Sequence, residues 1–372
     1  MKDPKQLIQS QKSFFETGKT RDISFIKGKL KRLKESIITN EDTIHQALYK
    51  DFKKPKFEAY ISEFGILISE IDIVLNNLSK WSKPKKVRPS KLNFPSKDYI
   101  YSEPYGTVLV IAPWNYPFQL AISPVISAIA AGNTVVLKPS EVSSHTAVII
   151  KTILSDIFDD AHLCVELGGV SETTTLLKER WDYIFFTGSV AVGKIIAKAA
   201  AVHLTPVTLE LGGKNPCIVD ESADIKLTAK RLVWGKFLNA GQTCIAPDYI
   251  LVNNRIKADL VQHLKTEIFK AYGENPEISP NYPRIVNAKN LQRLTAMLED
   301  AEILVGGNSN ISNNYLAPTL VDNPKLDSKL MEGEIFGPIL PVLDYQTEKD
   351  IESIVKSYEK PLGFYVFSKN KA

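Results

Sequence analysis

The chain has 372 residues, of which 44% are hydrophobic and 24% charged, a balance typical of a soluble globular protein. This length exceeds what one hydrophobic core usually organises, so we expect more than one domain. The formal net charge of +4 is too slight to indicate nucleic acid as a partner, and it would not repel an anionic cofactor.

The cysteines and the apolar runs bear on the cellular compartment. The chain has 3 cysteines, none of them in a CxxC or metal-type spacing, which favours a reducing compartment. The first residues lack the apolar core of a secretory signal, and no uncharged apolar run reaches membrane-spanning length. We therefore expect a cytoplasmic protein without a metal site or membrane attachment.

The N-terminal part of the chain is predicted to be helical. Apolar residues recur every three or four positions between residues 25 and 38 and again between 62 and 81. The basic run from Lys83 to Lys91 then breaks the helical pattern, and we interpret it as a solvated connector, with a phosphate-binding patch as the alternative. Residues 98–103 alternate like an exposed strand.

From Tyr105 onward, buried strands alternate with helices. The apolar run Val108–Ile111 predicts a strand and Leu120–Ala131 a helix, and the segments NTVVLKPSE and YIFFTGS repeat the strand-to-loop step. This alternation indicates a parallel sheet that is covered on both faces. A similar set beginning at Thr208 suggests a second α/β domain.

Three side chains are candidates for catalysis. Cys244 follows small residues and a glycine in FLNAGQTCIAP, so its sulfur could be accessible for attack on an aldehyde carbon; a lone cysteine is otherwise usually inert. Glu210 ends a predicted buried strand and is either a general base or a salt-bridged structural carboxylate. Asn115, between prolines and aromatics, could donate to an oxyanion or merely form a turn.

Further candidates lie where open α/β sheets bind ligands. Lys138, Ser140 and Glu141 follow a buried strand, and the lysine and glutamate could hold the hydroxyls of a ribose. Gly188 and Gly193 flank a strand-to-helix turn that would admit a diphosphate, although the spacing GxxxxG is a weak signal.

Another candidate segment is MEGEIFGPILPV, which contains Glu334 and Phe336. The aromatic ring is either part of a core or a platform for a nicotinamide ring. In the second case the glutamate would contact the adjoining ribose.

The order and spacing of these motifs resemble one family. PWNYP, VVLKPSE, FTGSVAVGK, LELGGKNP, GQTCIAP and EIFGPILPV follow one another as they do in the aldehyde dehydrogenase superfamily, and the short N-terminus is similar to its class 3 branch. The resemblance implies an α/β fold with a Rossmann-like cofactor domain, a catalytic domain and a small bridging β element. It places the cofactor domain at 1–81 and 104–209, the bridging segment at 82–103 and the catalytic domain at 210–372.

The resemblance also implies the role of each site residue. Cys244 would be the nucleophile, Glu210 the general base and Asn115 an oxyanion donor. The residues implied to bind the cofactor are Trp114, Lys138, Ser140, Glu141, Gly188, Ser189, Gly193, Leu211, Gly212, Glu334 and Phe336.

The activity implied is NAD(P)-dependent oxidation of a small-molecule aldehyde to a carboxylic acid through a thioester on Cys244. Because Glu141 should repel a 2′-phosphate while Lys138 would attract it, we expect NAD, with NADP possible. Members of the family form homodimers and continue beyond PLGFYVFSKN, so we expect an incomplete catalytic domain here. The alternatives are a catalytically impaired cofactor-binding or structural protein, and a semialdehyde or coenzyme A-acylating enzyme.

Overall fold

The computed structural model describes residues 2–370. Its helices, in chain order, are α1 (Pro4–Glu16), α2 (Ile23–Thr39), α3 (Glu41–Phe52), α4 (Lys56–Ala59), α5 (Gly65–Trp81), α6 (Gln119–Ala130), α7 (Ser144–Ile157), α8 (Val170–Leu177), α9 (Val190–Val202), α10 (Ile225–Phe237), α11 (Lys257–Tyr272), α12 (Ala288–Ala296), α13 (Lys329–Glu332) and α14 (Glu348–Lys356). The helical N-terminal region predicted from the sequence is confirmed.

The strands follow the predicted alternation with helices. They are β1 (Lys85–Val87), β2 (Asp98–Ile100), β3 (Thr107–Ile111), β4 (Thr134–Lys138), β5 (Leu163–Val165), β6 (Tyr183–Thr187), β7 (Val207–Glu210), β8 (Pro216–Val219), β9 (Tyr249–Asn253), β10 (Ile303–Val305), β11 (Ser309–Asn310), β12 (Tyr315–Leu316), β13 (Thr319–Asp322), β14 (Ile339–Tyr345) and β15 (Tyr365–Phe367).

The chain forms two compact units. The first comprises Met1–Ala47 and Ala59–Glu210, and the second comprises Leu48–Glu58 and Leu211–Ala372. Residues 48–58 thus group with the second unit and 82–103 with the first, which differs from the division expected from sequence. Grouping depends on packing between distant segments, and local periodicity carries no information about it. The functional labels of the predicted domains stay predictions.

The first unit is built on a parallel five-stranded sheet with the order β5-β4-β3-β6-β7. Every residue of β3 and β4 is buried, as expected for central parallel strands covered by helices on both faces. Val110 of β3, for example, pairs with Leu137 on one side and Phe185 on the other. The predicted parallel α/β arrangement is therefore confirmed.

A small antiparallel ribbon belongs to the first unit. β1 pairs with β2 in the register Lys86↔Tyr99. The predicted exposed strand is confirmed at Asp98–Ile100, whereas the basic connector contains a strand that its prolines and lysines did not suggest. The loop between the strands exposes Leu92 and Phe94, at 94% and 80%.

The second unit contains a six-stranded sheet with the order β10-β13-β14-β9-β8-β15. Its pairings are parallel except for β10 with β13. Side chains from β9, β13 and β14 form a continuous buried core with α10, α11 and α12. A second α/β set is therefore confirmed, but its predicted start at Thr208 was wrong: Thr208 lies in β7 of the first sheet, and the second sheet begins at β8. The apolar pattern does not show which sheet a strand joins.

Residues 2–370 contain neither a membrane-spanning helix nor a cluster of metal ligands. None of their helices combines the length and apolar character needed to cross a bilayer. No group of three or more His, Cys, Asp or Glu side chains in that range is arranged to hold a metal ion.

Candidate active site

The predicted side chains of the first unit meet at one edge of its sheet. Asn115 follows β3, Lys138 ends β4, and Glu210 ends β7. Gly188 and Ser189 come directly after β6. Because these strands are parallel, their carboxyl ends lie at the same edge, which is where open α/β sheets bind ligands.

The loop that carries Asn115 is anchored on both sides. The Ala112 N–H donates to the Lys138 carbonyl at 3.0 Å, and the Ser143 hydroxyl donates to the Trp114 carbonyl at 2.8 Å. Asn115 itself is only 4% exposed. A buried amide on an anchored loop can be held in one orientation, as an oxyanion donor requires.

Lys138 and Glu141 form an asymmetric ion pair beside β4. The Lys138 ammonium is buried and donates to the Pro139 carbonyl at 2.8 Å and to the Glu141 carboxylate at 3.3 Å. The Glu141 side chain is 45% exposed. Ser140 accepts the N–H of Val142 and so begins a short 3-10 turn. The outward-facing group of this pair is therefore the carboxylate, an acceptor suited to sugar hydroxyls.

A glycine pair that the sequence reading missed lies at the same edge. Gly168 and Gly169 follow β5, a three-residue strand too short to stand out in the apolar pattern. A Cβ built on Gly169 would lie 3.8 Å from the Glu141 side chain. The signal in the sequence was the double glycine directly after the buried run LCVEL.

The start of α9 provides backbone N–H groups. The Ser189 hydroxyl accepts the N–H of Val192 at 3.4 Å, and the Gly188 N–H donates to the Glu210 carbonyl at 3.0 Å. Gly193 is buried on this helix of 13 residues. A helix N-terminus reached through a glycine is suited to a diphosphate.

Glu210 is less enclosed than its sequence suggested. β7 forms an edge of the sheet and pairs only with β6 among the described strands, so its residues are half-buried. Glu210 at its end is exposed within the single chain. The expectation of a buried strand was wrong here because apolar composition does not distinguish an edge strand from a central one.

In the second unit, the segment before Cys244 turns with left-handed backbone conformations. Asn239, Ala240 and Gly241 have φ values of 56°, 51° and 71°. A Cβ on Gly241 would lie 2.3 Å from the Gly337 carbonyl oxygen, so only glycine fits. We call Asn239–Gly241 the left-handed turn; it is the tight turn that the small residues predicted.

The main chain at the half-buried Cys244 is held by an amide from the LGGKNP motif. Asn215 donates to the Cys244 carbonyl at 2.8 Å and to the Ala246 carbonyl at 3.0 Å. It also accepts the N–H of Gly363 at 2.7 Å. One buried side chain thus fixes both carbonyls that flank Ile245.

Gln242 fixes the same loop from another direction. Its amide donates to the Asn239 carbonyl at 2.9 Å and to the Arg284 carbonyl at 3.0 Å, and it accepts the Val286 N–H at 2.9 Å. Gln242 is 1% exposed. The GQTC motif therefore contains a structural glutamine besides the candidate nucleophile, a role that the sequence reading did not assign.

Glu334 and Gly212, both predicted to contact the cofactor, lie against each other. A Cβ on Gly212 would come within 2.3 Å of the Glu334 carboxylate oxygens. Burial, followed by the negative charge of Asp248, raises the pKa of Glu334 to about 7. Phe336, close by in the chain, has a left-handed φ of 50°. A side chain larger than glycine at position 212 would displace this carboxylate.

A buried ion pair supports the Glu334 segment. The Lys214 ammonium donates to the Asp248 carboxylate at 2.6 Å and to the carbonyls of Leu330 and Gly333 at 2.9 Å. Asp248 in turn accepts the Ile335 N–H at 3.0 Å. Both charged side chains are 4% exposed. The sequence reading missed this pair, because its members are far apart in the chain.

Comparison with known proteins gives the family. An α/β sheet with polar groups and a glycine turn at its carboxyl edge is typical of dinucleotide-dependent enzymes. The family model described as "Aldehyde dehydrogenase family" matches residues 2–372. The chain therefore belongs to the aldehyde dehydrogenase family.

Individual relatives agree with this assignment. The 4,4'-diaponeurosporen-aldehyde dehydrogenase of Staphylococcus aureus is 48% identical over 98% of this chain and 80% of its own length. A dog enzyme named "Aldehyde dehydrogenase, dimeric NADP-preferring" is 41% identical over 98% of this chain and 81% of its own length. The solved substrate-bound Staphylococcus aureus AldH superposes with a TM-score of 0.97 at 48% identity, covering 100% of this chain and 81% of that one.

These comparisons confirm several predictions from sequence. The class 3 resemblance is confirmed by relatives named as family 3 members. The fold class is that of aldehyde dehydrogenases, and the protein is an oxidoreductase of the aldehyde dehydrogenase family, which uses NAD(P). The roles of the individual site residues stay predictions.

Proposed function

We propose that Cys244 is the nucleophile in the oxidation of an aldehyde to a carboxylic acid. The thiolate adds to the aldehyde carbon and forms a C–S bond, which gives a thiohemiacetal. The Asn115 amide and the Cys244 N–H would stabilise the oxyanion that develops. Loss of hydride from this carbon, for which a bound nicotinamide would be the acceptor, would leave a thioester on Cys244.

Glu210 would complete the reaction as a general base. It removes a proton from water, whose oxygen attacks the thioester carbon while the C–S bond breaks and the Cys244 thiolate leaves. The aldehyde is thereby oxidised by two electrons, and water supplies the second oxygen of the acid. A base at this position favours hydrolysis over transfer to coenzyme A.

The observation that supports the assignment of Cys244 best is the fixation of its backbone. Asn215 holds its carbonyl, Gln242 holds the loop, and the left-handed turn is packed against Gly337. By contrast, burial raises the pKa of Cys164 to about 11, and Cys217 is fully buried, which makes both thiols poor nucleophiles.

The first experiment follows formation of reduced cofactor with the purified chain and a panel of aldehydes. Cys244→Ala should abolish turnover, whereas Cys164→Ala, the matched loss of a buried thiol, should retain it. Turnover that persists in Cys244→Ala would refute the proposal. A chain that melts cooperatively and binds NAD without any turnover would support the non-catalytic alternative.

The role of Glu210 has its own kinetic signature. In Glu210→Gln we expect a burst of about one reduced cofactor per Cys244, followed by a steady state slowed by roughly a hundredfold or more. Glu179→Gln, a change elsewhere in the first unit, should show normal turnover. A Glu210→Gln enzyme with undiminished turnover would exclude this base, and acyl-coenzyme A formed on addition of coenzyme A would identify an acylating enzyme.

We infer that a dinucleotide binds at the carboxyl edge of the sheet in the first unit. The Lys138–Glu141 pair would hold the adenosine ribose, and the Ser189 end of α9 would hold the diphosphate. Since the Glu141 carboxylate is exposed while the Lys138 ammonium is buried, the outward charge is negative. This charge should repel a 2′-phosphate, so we propose a preference for NAD over NADP.

A single substitution tests this preference. Glu141→Gln should raise kcat/KM with NADP relative to NAD by roughly tenfold, because the negative charge that repels the 2′-phosphate is removed. Ser144→Ala, at a nearby exposed position, is the control and should leave the ratio unchanged. An unchanged ratio in Glu141→Gln would show that other groups discriminate between NAD and NADP. A wild-type preference for NADP, like that in the name of the dog relative, would show the same.

The substrate is proposed to be an apolar aldehyde. In the second unit, Phe57 and Trp234 are 63% and 51% exposed and pack edge-on with ring centroids 6.3 Å apart. Ile245, next to Cys244, is 55% exposed. Along a series of unbranched aldehydes, kcat/KM should rise with chain length, and Trp234→Ala should flatten that rise. A series that is flat in the wild type would contradict an apolar specificity site.

We also propose that the chain forms a homodimer through the β1–β2 ribbon. Leu92 and Phe94 are among its most exposed apolar side chains, and the dog relative is named as dimeric. Light scattering should give twice the monomer mass for the wild type. The double variant Leu92→Asp with Phe94→Asp should have the mass of one monomer. A wild-type monomer at micromolar concentration would contradict the proposal.

A further inference from the structure

A buried glutamate far away in sequence contacts the left-handed turn that precedes Cys244. Glu58 ends the segment Leu48–Glu58, which packs as part of the second unit. Its carboxylate accepts the Asn239 N–H at 2.9 Å, across 181 positions of sequence. Glu58 is 6% exposed and Asn239 is fully buried. The bond is therefore formed away from solvent, where the loss of a hydrogen bond is costly.

The bonded N–H lies where the chain departs from helical geometry. Asn239 is the first residue of the left-handed turn, and non-glycine residues in that conformation cost on the order of 1 kcal/mol each. Such a conformation persists only when its surroundings hold it. Asn215 holds the Cys244 carbonyl and Gln242 holds the Asn239 carbonyl, while Glu58 holds the Asn239 N–H.

Glu58 is an energetically unfavourable choice for a structural acceptor. Burial raises its pKa to about 7, against the lowering effects of the Asn239 N–H and the positive charge of Lys54. Burial and, to a lesser extent, the negative charge of Glu58 in turn raise the pKa of Tyr272 and Tyr282. A neutral amide oxygen could accept the same N–H at a smaller desolvation cost, so Glu58→Gln should keep the bond to the turn.

We propose that Glu58 is a positioning residue for the nucleophile: by holding the Asn239 N–H it fixes the left-handed turn and thereby places the Cys244 sulfur for attack. The inference rests on the proposed function of Cys244. Glu58 touches neither the sulfur nor the substrate in this scheme, and it acts only through the backbone of residues 239–244.

The test measures the reactivity of Cys244 without any substrate. The rate of alkylation by iodoacetamide is followed at the Cys244 peptide by mass spectrometry, beside kcat and KM for an aldehyde. Glu58→Ala should slow both alkylation and kcat at least tenfold while KM changes less than twofold. Glu58→Gln, which keeps an oxygen acceptor, should restore both rates to within about threefold of the wild type. Glu58→Asp replaces Glu58→Ala if the latter does not melt cooperatively; its shorter side chain should still slow alkylation.

A core substitution separates positioning from loss of stability. Leu320→Ala removes a fully buried side chain of the same unit, on β13, and should lower the melting temperature without changing alkylation at temperatures below it. Any of three outcomes would overturn the inference. Glu58→Ala could be alkylated at the wild-type rate, Leu320→Ala could be slowed as much as Glu58→Ala, or Glu58→Gln could fail to restore the rate. Turnover that survives Cys244→Ala would instead refute the proposed function, and the alkylation rates would still decide whether Glu58 positions the sulfur.

Discussion

The two units present their candidate residues in different ways. In the first unit, Asn115, Lys138 and Ser189 lie at or shortly after the ends of parallel strands, so the sheet itself brings them to one edge. In the second unit, Cys244 lies beyond a left-handed turn that is fixed by side chains from elsewhere in the chain. In the first unit the candidate residues are positioned by regular secondary structure. In the second unit they are positioned by a few individual contacts, so each contact has a larger effect on the position of Cys244. Substitutions should therefore be more damaging in the second unit.

The largest effect is expected from Gly241→Ala. Its new methyl group would meet the Gly337 carbonyl at 2.3 Å, so the turn has to move. A shift of about 1 Å at the nucleophile should lower kcat roughly a hundredfold. Gly273→Ala is the matched control, because its φ is 81° but nothing lies within 4 Å of the added Cβ.

The control Gly273→Ala should lose about 1 kcal/mol of stability because of backbone strain alone, and its kcat should be unchanged. Steady-state kinetics and thermal melts of both variants separate the two effects. If Gly241→Ala and Gly273→Ala behave alike, the contact with Gly337 does not fix the nucleophile loop, and the contrast between the units fails.

The next effect concerns the buried pair of the second unit. Lys214→Met leaves the Asp248 carboxylate buried without its cation, which should lower the free energy of unfolding by about 3–5 kcal/mol. Lys329→Met breaks the exposed pair with Glu299 and should stay within about 0.5 kcal/mol of the wild type.

Urea denaturation measures both variants. The double variant Lys214→Met with Asp248→Leu should recover part of the loss, since no unpaired charge remains. A single variant Lys214→Met as stable as the wild type would show that the lysine does not stabilise the buried Asp248 side chain.

A pH effect is expected in the first unit. His162 packs against the rings of Phe14, Phe25 and Phe158 at 5.3–5.4 Å, and its ring nitrogens have no hydrogen-bond partner among the described residues. Burial, followed by the positive charge of Lys29, lowers its pKa from 6.5 to about 4. The folded state therefore binds fewer protons than the unfolded state between these values, and stability is lost as the pH falls from 6.5 toward 4.

His162→Phe should remove this contribution, worth at most about 3 kcal/mol at the acid end. The measurement is the free energy of unfolding at pH 7, 5.5 and 4.5, relative to the wild type, with the exposed His145→Gln as control. Parallel pH curves for the wild type and His162→Phe would mean that the histidine is not neutral in the folded state. In that case the burial of His162 would contribute less to the pH dependence of the free energy of unfolding than its packing suggests.

The smallest effect is expected from Ser143→Ala, which removes one anchor of the Asn115 loop. The lost hydrogen bond to the Trp114 carbonyl should cost about 1 kcal/mol of stability. Because β3 and the Ala112–Lys138 bond still hold the loop, kcat should fall less than about fivefold. A loss as large as that of Gly241→Ala would show that the first unit is no more tolerant than the second.

The sequence by itself determined the main elements of the first unit and the class of protein. Apolar periodicity located β3, β4, β6 and α9 nearly to the residue, because side-chain direction repeats locally along strands and helices. Ordered motifs located the candidate residues and the family, since catalytic chemistry restricts the residue types that can stand at each position. The short strand β5 was not predicted, because three residues are too few to show a period.

Only the tertiary structure decided which distant groups support the nucleophile loop. The contact of Glu58 with Asn239, the pair of Lys214 with Asp248 and the approach of Gly241 to Gly337 each join segments that are far apart in the chain. The exposure of Glu210 was decided in the same way, by the edge position of β7. These features depend on how the segments pack in space, and a local pattern of residue types records nothing of the neighbour that folding brings against it.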